Sequence, residues 1–131
     1  MTTIRREISL DIHPDKVWDA VRDIGSAHRL FQGVLTDSSL DGDIRVVTFA
    51  NGLVAREVVV SLDDAARRFV YSVVEGMPGL THHNASMEVL AEGSDRTRFV
   101  WTTDVLPDDL GPRVAELVEL GMAALRRTLE R

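Results

Sequence analysis

The sequence predicts an α+β fold: a curved antiparallel sheet of about seven strands wrapped around a long C-terminal helix, with two short helices after the first strand. Three observations carry this expectation. Apolar and polar residues alternate with period two from Gly33 to Leu106, and a single apolar helical stripe fills residues 112–131. The strands also follow one another through loops too short for crossover helices, which makes the sheet antiparallel.

Taken in order, TIRREISLDI (residues 3–12) places Ile4, Ile8, Leu10 and Ile12 on one face of a strand that Arg6 interrupts. Pro14 opens a helix with Asp15 near its positive end. Val17, Trp18, Val21 and Ile24 recur at helical spacing until Gly25 stops the run, and SAHRLFQ predicts a second short helix. DIRVVTFA and LVAREVVVSL then flank Asn51-Gly52, a strong hairpin signal. RRFVYSVV alternates as a further strand, while THHNASMEVL and TRFVWTTDVL flank AEGSDR as a second hairpin. GMPG, between these strands, reads as a turn and a flexible entrance loop. Pro107 ends the strands. Beyond it, Val114, Leu117, Val118, Gly121, Met122, Leu125 and Leu129 mark one face of a helix about 30 Å long. Arg126, Arg127 and Arg131 complement its negative end.

A chain of 131 residues fits one domain, 1–131. It has no cysteine, so disulfides, thiol nucleophiles and thiolate metal sites are excluded. The net charge of −6, without a basic stripe, argues against nucleic acid as a partner. No apolar run approaches the roughly 20 residues of a transmembrane segment, and the N-terminus lacks a signal-peptide pattern, so a cytoplasmic location is expected. No phosphate loop, zinc spacing or Ser/His/Asp arrangement is present, and neither a metal nor a cofactor is implied.

A twisted sheet wrapped round a helix leaves a gap between them, and that gap is the candidate site. Adjacent strand residues point to opposite faces, so His82 and His83 cannot share one metal. His83 shares parity with Ala85, Met87 and Val89 and reads as inward; His82 falls with Asn84, Ser86 and Glu88 and reads as outward. Trp101 lies with Phe99 and Thr103 on one parity, either as core or as a cavity floor. Trp18 reads as core, His13 as a helix-start residue and His28 as an exposed histidine near the mouth. For Glu57 the turn decides. A two-residue Asn51-Gly52 turn puts it on the face of Ile44, Val46 and Thr48, whereas a three-residue loop through Leu53 puts it with Arg45, Val47 and Phe49.

With ISLDIHPDKVWDAVRD, GDIRVVTFANGLVAREVVVSLDDAARRFVYSVVEG and GSDRTRFVWTTDV followed by the terminal helix, nearly the whole chain resembles the START-like, or SRPBCC, helix-grip superfamily. It is most similar to the polyketide cyclase/dehydrase-like branch. The resemblance implies a hydrophobic cavity between sheet and helix that takes up lipids, hormones or polyketides. It also implies that Glu57 points inward, that Tyr71 and His83 are cavity residues, and that Arg45 lies at or near the mouth. No complete catalytic set of the aromatising cyclases is matched.

The first functional expectation is a binding module for a small hydrophobic or aromatic, lipid- or polyketide-like molecule. Its wall would be Arg45, Val47, Phe49, Ala55 and Glu57 on the first hairpin, and Tyr71 on the next strand. His83, Ala85, Met87, Phe99 and Trp101 would continue it on the second hairpin, with Leu117, Val118, Gly121, Met122 and Leu125 on the helix. One alternative is a polyketide cyclase/dehydratase whose acid–base candidates are His83, Glu57, Arg45 and Tyr71. Another is a non-enzymatic partner-binding or regulatory domain with a filled interior; a homodimer stays open as a partner.

Overall fold

The computed structural model covers residues 1–131. It contains β1 (Thr2–Leu10), α1 (Pro14–Arg22), a 3₁₀ turn at Ile24–Ser26, α2 (Ala27–Leu30) and β2 (Leu35–Asp41). β3 (Ile44–Phe49), β4 (Val54–Asp63), β5 (Arg68–Glu75), β6 (His82–Ala91) and β7 (Thr97–Leu106) follow, and α3 (Gly111–Leu129) closes the chain. The seven strands form one antiparallel sheet in the order β1-β7-β6-β5-β4-β3-β2, curved around α3 as a helix-grip fold.

The curvature has a local cause. The β4–β5 ladder slips between Arg56 and Glu57 and again between Val59 and Ser61. Val74 and Val60 are the extra residues, and both stand exposed on bulges that bend the strands. Arg6, which breaks the apolar parity of β1, reaches across to α3 and donates from Nε to Glu119 Oε1 at 3.2 Å. His13 caps α1 by accepting from the Asp15 N–H at 3.1 Å. Trp18 is buried and donates its indole N–H to Asp64 at 2.9 Å.

The packed core fills one end of the grip. Leu10, Val17, Trp18 and Leu30 pack there against Phe69, Val89 and Phe99 and against the C-terminal half of α3 through Met122, Leu125 and Leu129. Val47 and Ala55 are equally buried, yet they stand apart from that cluster. They line the open cavity instead, on the β3–β4 hairpin.

Candidate functional site

The first hairpin settles the orientation of Glu57. Its loop has three residues, but they are Ala50, Asn51 and Gly52: Phe49 N–H donates to Leu53 O at 2.8 Å. That shifts the register from the expected Asn51–Leu53 loop and sets Glu57 directly opposite Arg45. The Arg45 Nε–H donates to Glu57 Oε1 at 2.7 Å, and Nη1 donates to Ile24 O at 3.3 Å. The Arg45 guanidinium carbon also lies 4.9 Å from the Phe69 ring centre and 5.1 Å from that of Tyr71. Burial raises the Glu57 carboxyl above its ordinary pKa, against the pull of Arg45.

His83 is buried on the inner face and His82 is exposed on the outer one. The β5–β6 ladder ends at Tyr71 and Ala85, where the strands part. Past the split, the His83 ring replaces a backbone acceptor: Val73 N–H donates to Nδ1 at 3.0 Å. Because Nδ1 accepts, the neutral ring carries its proton on Nε2. Burial, aided by His82, lowers the His83 pKa to about 4. Ser72 Oγ donates to His83 O on the same stretch. A hollow of about 250 Å³ opens at the split, sharing Val73, Met77 and His83 with the main cavity.

That main cavity has a volume of about 250 Å³. Its wall includes Arg45, Val47, Phe49, Ala55 and Glu57 from the first hairpin and Tyr71 from β5. His83, Met87 and Trp101 add to it from the second hairpin, and Leu117, Val118 and Gly121 from α3. Four expected wall residues do not reach it. Ala85 is fully buried between Tyr71 and Thr103, too short to extend into the space. Phe99, Met122 and Leu125 belong to the packed end of the grip. His28 is half-buried and away from the cavity, with Nδ1 2.7 Å from Ser38 Oγ.

Several wall residues escaped the pattern. Phe31 and Val34 come from the segment around α2 and Leu53 from the end of the first hairpin loop, whereas Gly76, Met77 and Pro78 lie in the GMPG segment already expected as an entrance loop. Val114 carried a signal, as part of the α3 stripe, and so did Thr103, through its shared parity with Trp101. The Trp101 benzo edge is held between α3 and Phe31: the rings of Phe31 and Trp101 are 5.6 Å apart. A Cβ at Gly121 would lie 2.8 Å from Trp101 Cζ3, so glycine is what lets the helix approach. Trp101 Nε1 is directed towards the Tyr71 phenol without completing a hydrogen bond. Thr103 Oγ1 is likewise buried without a partner.

A helix-grip domain with a mainly apolar internal cavity and a few convergent polar groups is the class that this geometry defines. The chain belongs to the family described as polyketide cyclase / dehydrase and lipid transport, whose model matches residues 1–131. A protein from Bacillus thuringiensis has the same fold with a TM-score of 0.90 at 16% identity, covering 99% of this chain and 100% of its own. Norcoclaurine synthase from Thalictrum flavum superimposes with a TM-score of 0.76 at 20% identity, covering 98% of this chain and 90% of its own. The Zhui aromatase/cyclase from Streptomyces does so with a TM-score of 0.71 at 18% identity and the same two coverages. The sequence matches none of the curated proteins. No helix is long and apolar enough to cross a membrane.

Proposed function

We propose that this chain binds a small hydrophobic or aromatic molecule in the cavity between the sheet and the first half of α3. The observation that carries this reading is the 250 Å³ of open interior, walled by apolar side chains around a self-neutralised Arg45–Glu57 pair. An interior of this size is also what argues against a regulatory domain with a solid core. The test is a thermal-shift screen of lipids and one- to three-ring aromatics against the wild type and Ala55→Phe, which fills the wall. Ligands should raise the wild-type melting temperature and leave the filled variant unmoved. If no compound shifts the wild type, the reading fails.

A second reading, acid–base conversion of the bound molecule, is supported by the raised carboxyl of Glu57 beside Arg45 and Tyr71. Glu57 would take the proton, and Arg45 and Tyr71 would hold the resulting oxyanion. His83, with Nδ1 occupied, offers Nε2–H as a donor rather than acting as the base. Glu57→Gln should then stop turnover while the ligand-induced melting shift persists. Turnover that survives this substitution excludes Glu57 as the base.

A further inference from the structure

Charge is not spread evenly along the cavity wall. Of the residues that line it, only Arg45, Glu57 and Arg113 carry a formal charge, since burial holds His83 neutral. Arg45 and Glu57 are both buried, and each answers the other at 2.7 Å. Arg113 stands apart, near the start of α3, with 46% of its side chain exposed. It shares the wall with the exposed residues Asn51, Leu53, Gly76 and Pro78, which mark this end as the mouth. The lining therefore carries one uncompensated positive charge, at its rim, in a chain of net charge −6.

The hydrogen-bonding groups of the rim have the same sense. The ionic neighbour of Arg113 is Glu116, whose carboxylate does not line the cavity and lies 3.7 Å away, beyond hydrogen-bond reach. Asn51 Oδ1 accepts from the Leu53 N–H at 3.0 Å, which leaves the NH2 as the open end of that amide. Both polar side chains of the mouth thus present donors. A carboxylate placed there keeps part of its hydration and gains charge-assisted hydrogen bonds. Further in, it would lose its water beside an arginine that Glu57 already neutralises. Size limits the rest of the molecule: an apolar cavity of about 150 Å³ holds one benzene, and this one has about 250 Å³.

We propose, building on the ligand-binding reading above, that the ligand is an anionic amphiphile whose carboxylate sits at the mouth on Arg113. Its apolar body, one or two rings or an alkyl chain of like bulk, lies inside against Val47, Ala55 and Val118. The internally balanced cavity selects the body, and the rim selects the sign of the head.

The experiment compares three probes of one shape by calorimetry and thermal shift near neutral pH: naphthylacetate, its amide, and naphthylethylamine. They are anionic, neutral and cationic. At low salt the acid should bind about fivefold tighter than the amide, the scale of one exposed ion pair, and the amine should bind most weakly. High salt should shrink the acid's advantage, because a pair at the surface is screened. Arg113→Gln should bring the acid down to the amide and leave the amide unchanged, whereas Arg113→Lys should keep most of the preference. Glu116→Gln, which removes the neighbouring carboxylate, should strengthen the acid about twofold. Both positions are exposed, so the free variants should melt as the wild type does. An amide as tight as the acid, or an acid indifferent to Arg113→Gln, overturns the rim assignment while leaving the cavity reading intact. Tightest binding by the amine overturns the sign of the head. Binding of none of the three would overturn the ligand-binding reading itself.

Discussion

Arg45 and Glu57 face each other across the β3–β4 ladder, Nε to Oε1 at 2.7 Å, each with 7% of its side chain exposed. A buried pair gains little over an apolar pair of similar volume, but half a pair is costly. Arg45→Met is therefore expected to destabilise the fold by about 3 kcal/mol near neutral pH, and Arg45→Met/Glu57→Leu to recover most of it. Urea unfolding of the singles and the double reads the cycle. A double variant no more stable than Arg45→Met would show that Arg45 acts through its contacts with Phe69, Tyr71 and Ile24 O rather than through the charge of Glu57.

His83 gives the fold a pH dependence of known sign. Its folded pKa is lowered to about 4 from an ordinary 6.5, so the folded state resists a proton that the unfolded chain accepts. The stability it contributes is full above pH 6.5 and is lost as pH falls towards 4. Between about pH 7.5 and pH 5 the loss should be about 2 kcal/mol. His83→Gln should remove that slope while its amide oxygen accepts from Val73 N–H. Equal slopes for wild type and variant would sink the assignment.

Gly121 separates helix propensity from packing. In an open helix interior, glycine to alanine gains about 0.5–1 kcal/mol. Here the new Cβ meets Trp101 Cζ3 at 2.8 Å and Cη2 at 2.9 Å. Gly121→Ala should instead lose about 1–2 kcal/mol through overpacking, and should shift the tryptophan emission as the indole is displaced. An equally stable variant with unchanged emission would contradict this packing account.

Gly76 shapes the mouth. Its φ is +104°, and an added Cβ would lie 2.3 Å from Val54 O and 2.7 Å from Ala55 Cα, backbone atoms that cannot step aside. Gly76→Ala should cost at least about 2 kcal/mol and lift the loop carrying Met77 and Pro78 from β4. Limited proteolysis should then cut at this loop faster than in the wild type, and unchanged cutting would count against it.

Element order was readable because period two and the α3 stripe are direct imprints of one-sided burial. Inward parity likewise exposed His83, Met87 and Trp101. What periodicity does not encode is depth along an element. Met122 and Leu125 share a face with Val118 and Gly121, yet only Val118 and Gly121 border the cavity, Val118 while also packing in the core. Phe99 shares its parity with Trp101 in the same way. Glu57 depended on a loop register that Asn51-Gly52 leaves ambiguous. Leu53 and Met77 lie in loops, where no repeat marks the side that faces in.

The parting of β5 from β6 divides the sheet into two leaves, β1-β7-β6 and β5-β4-β3-β2. They pair along Arg68–Tyr71 and Glu88–Ala85, and beyond the split Val73 N–H to the His83 imidazole and Ser72 Oγ to His83 O hold the seam. Local opening is easiest where backbone pairing is thinnest, so amides along this four-pair seam are expected to exchange faster than those of the ten-pair β6–β7 ladder.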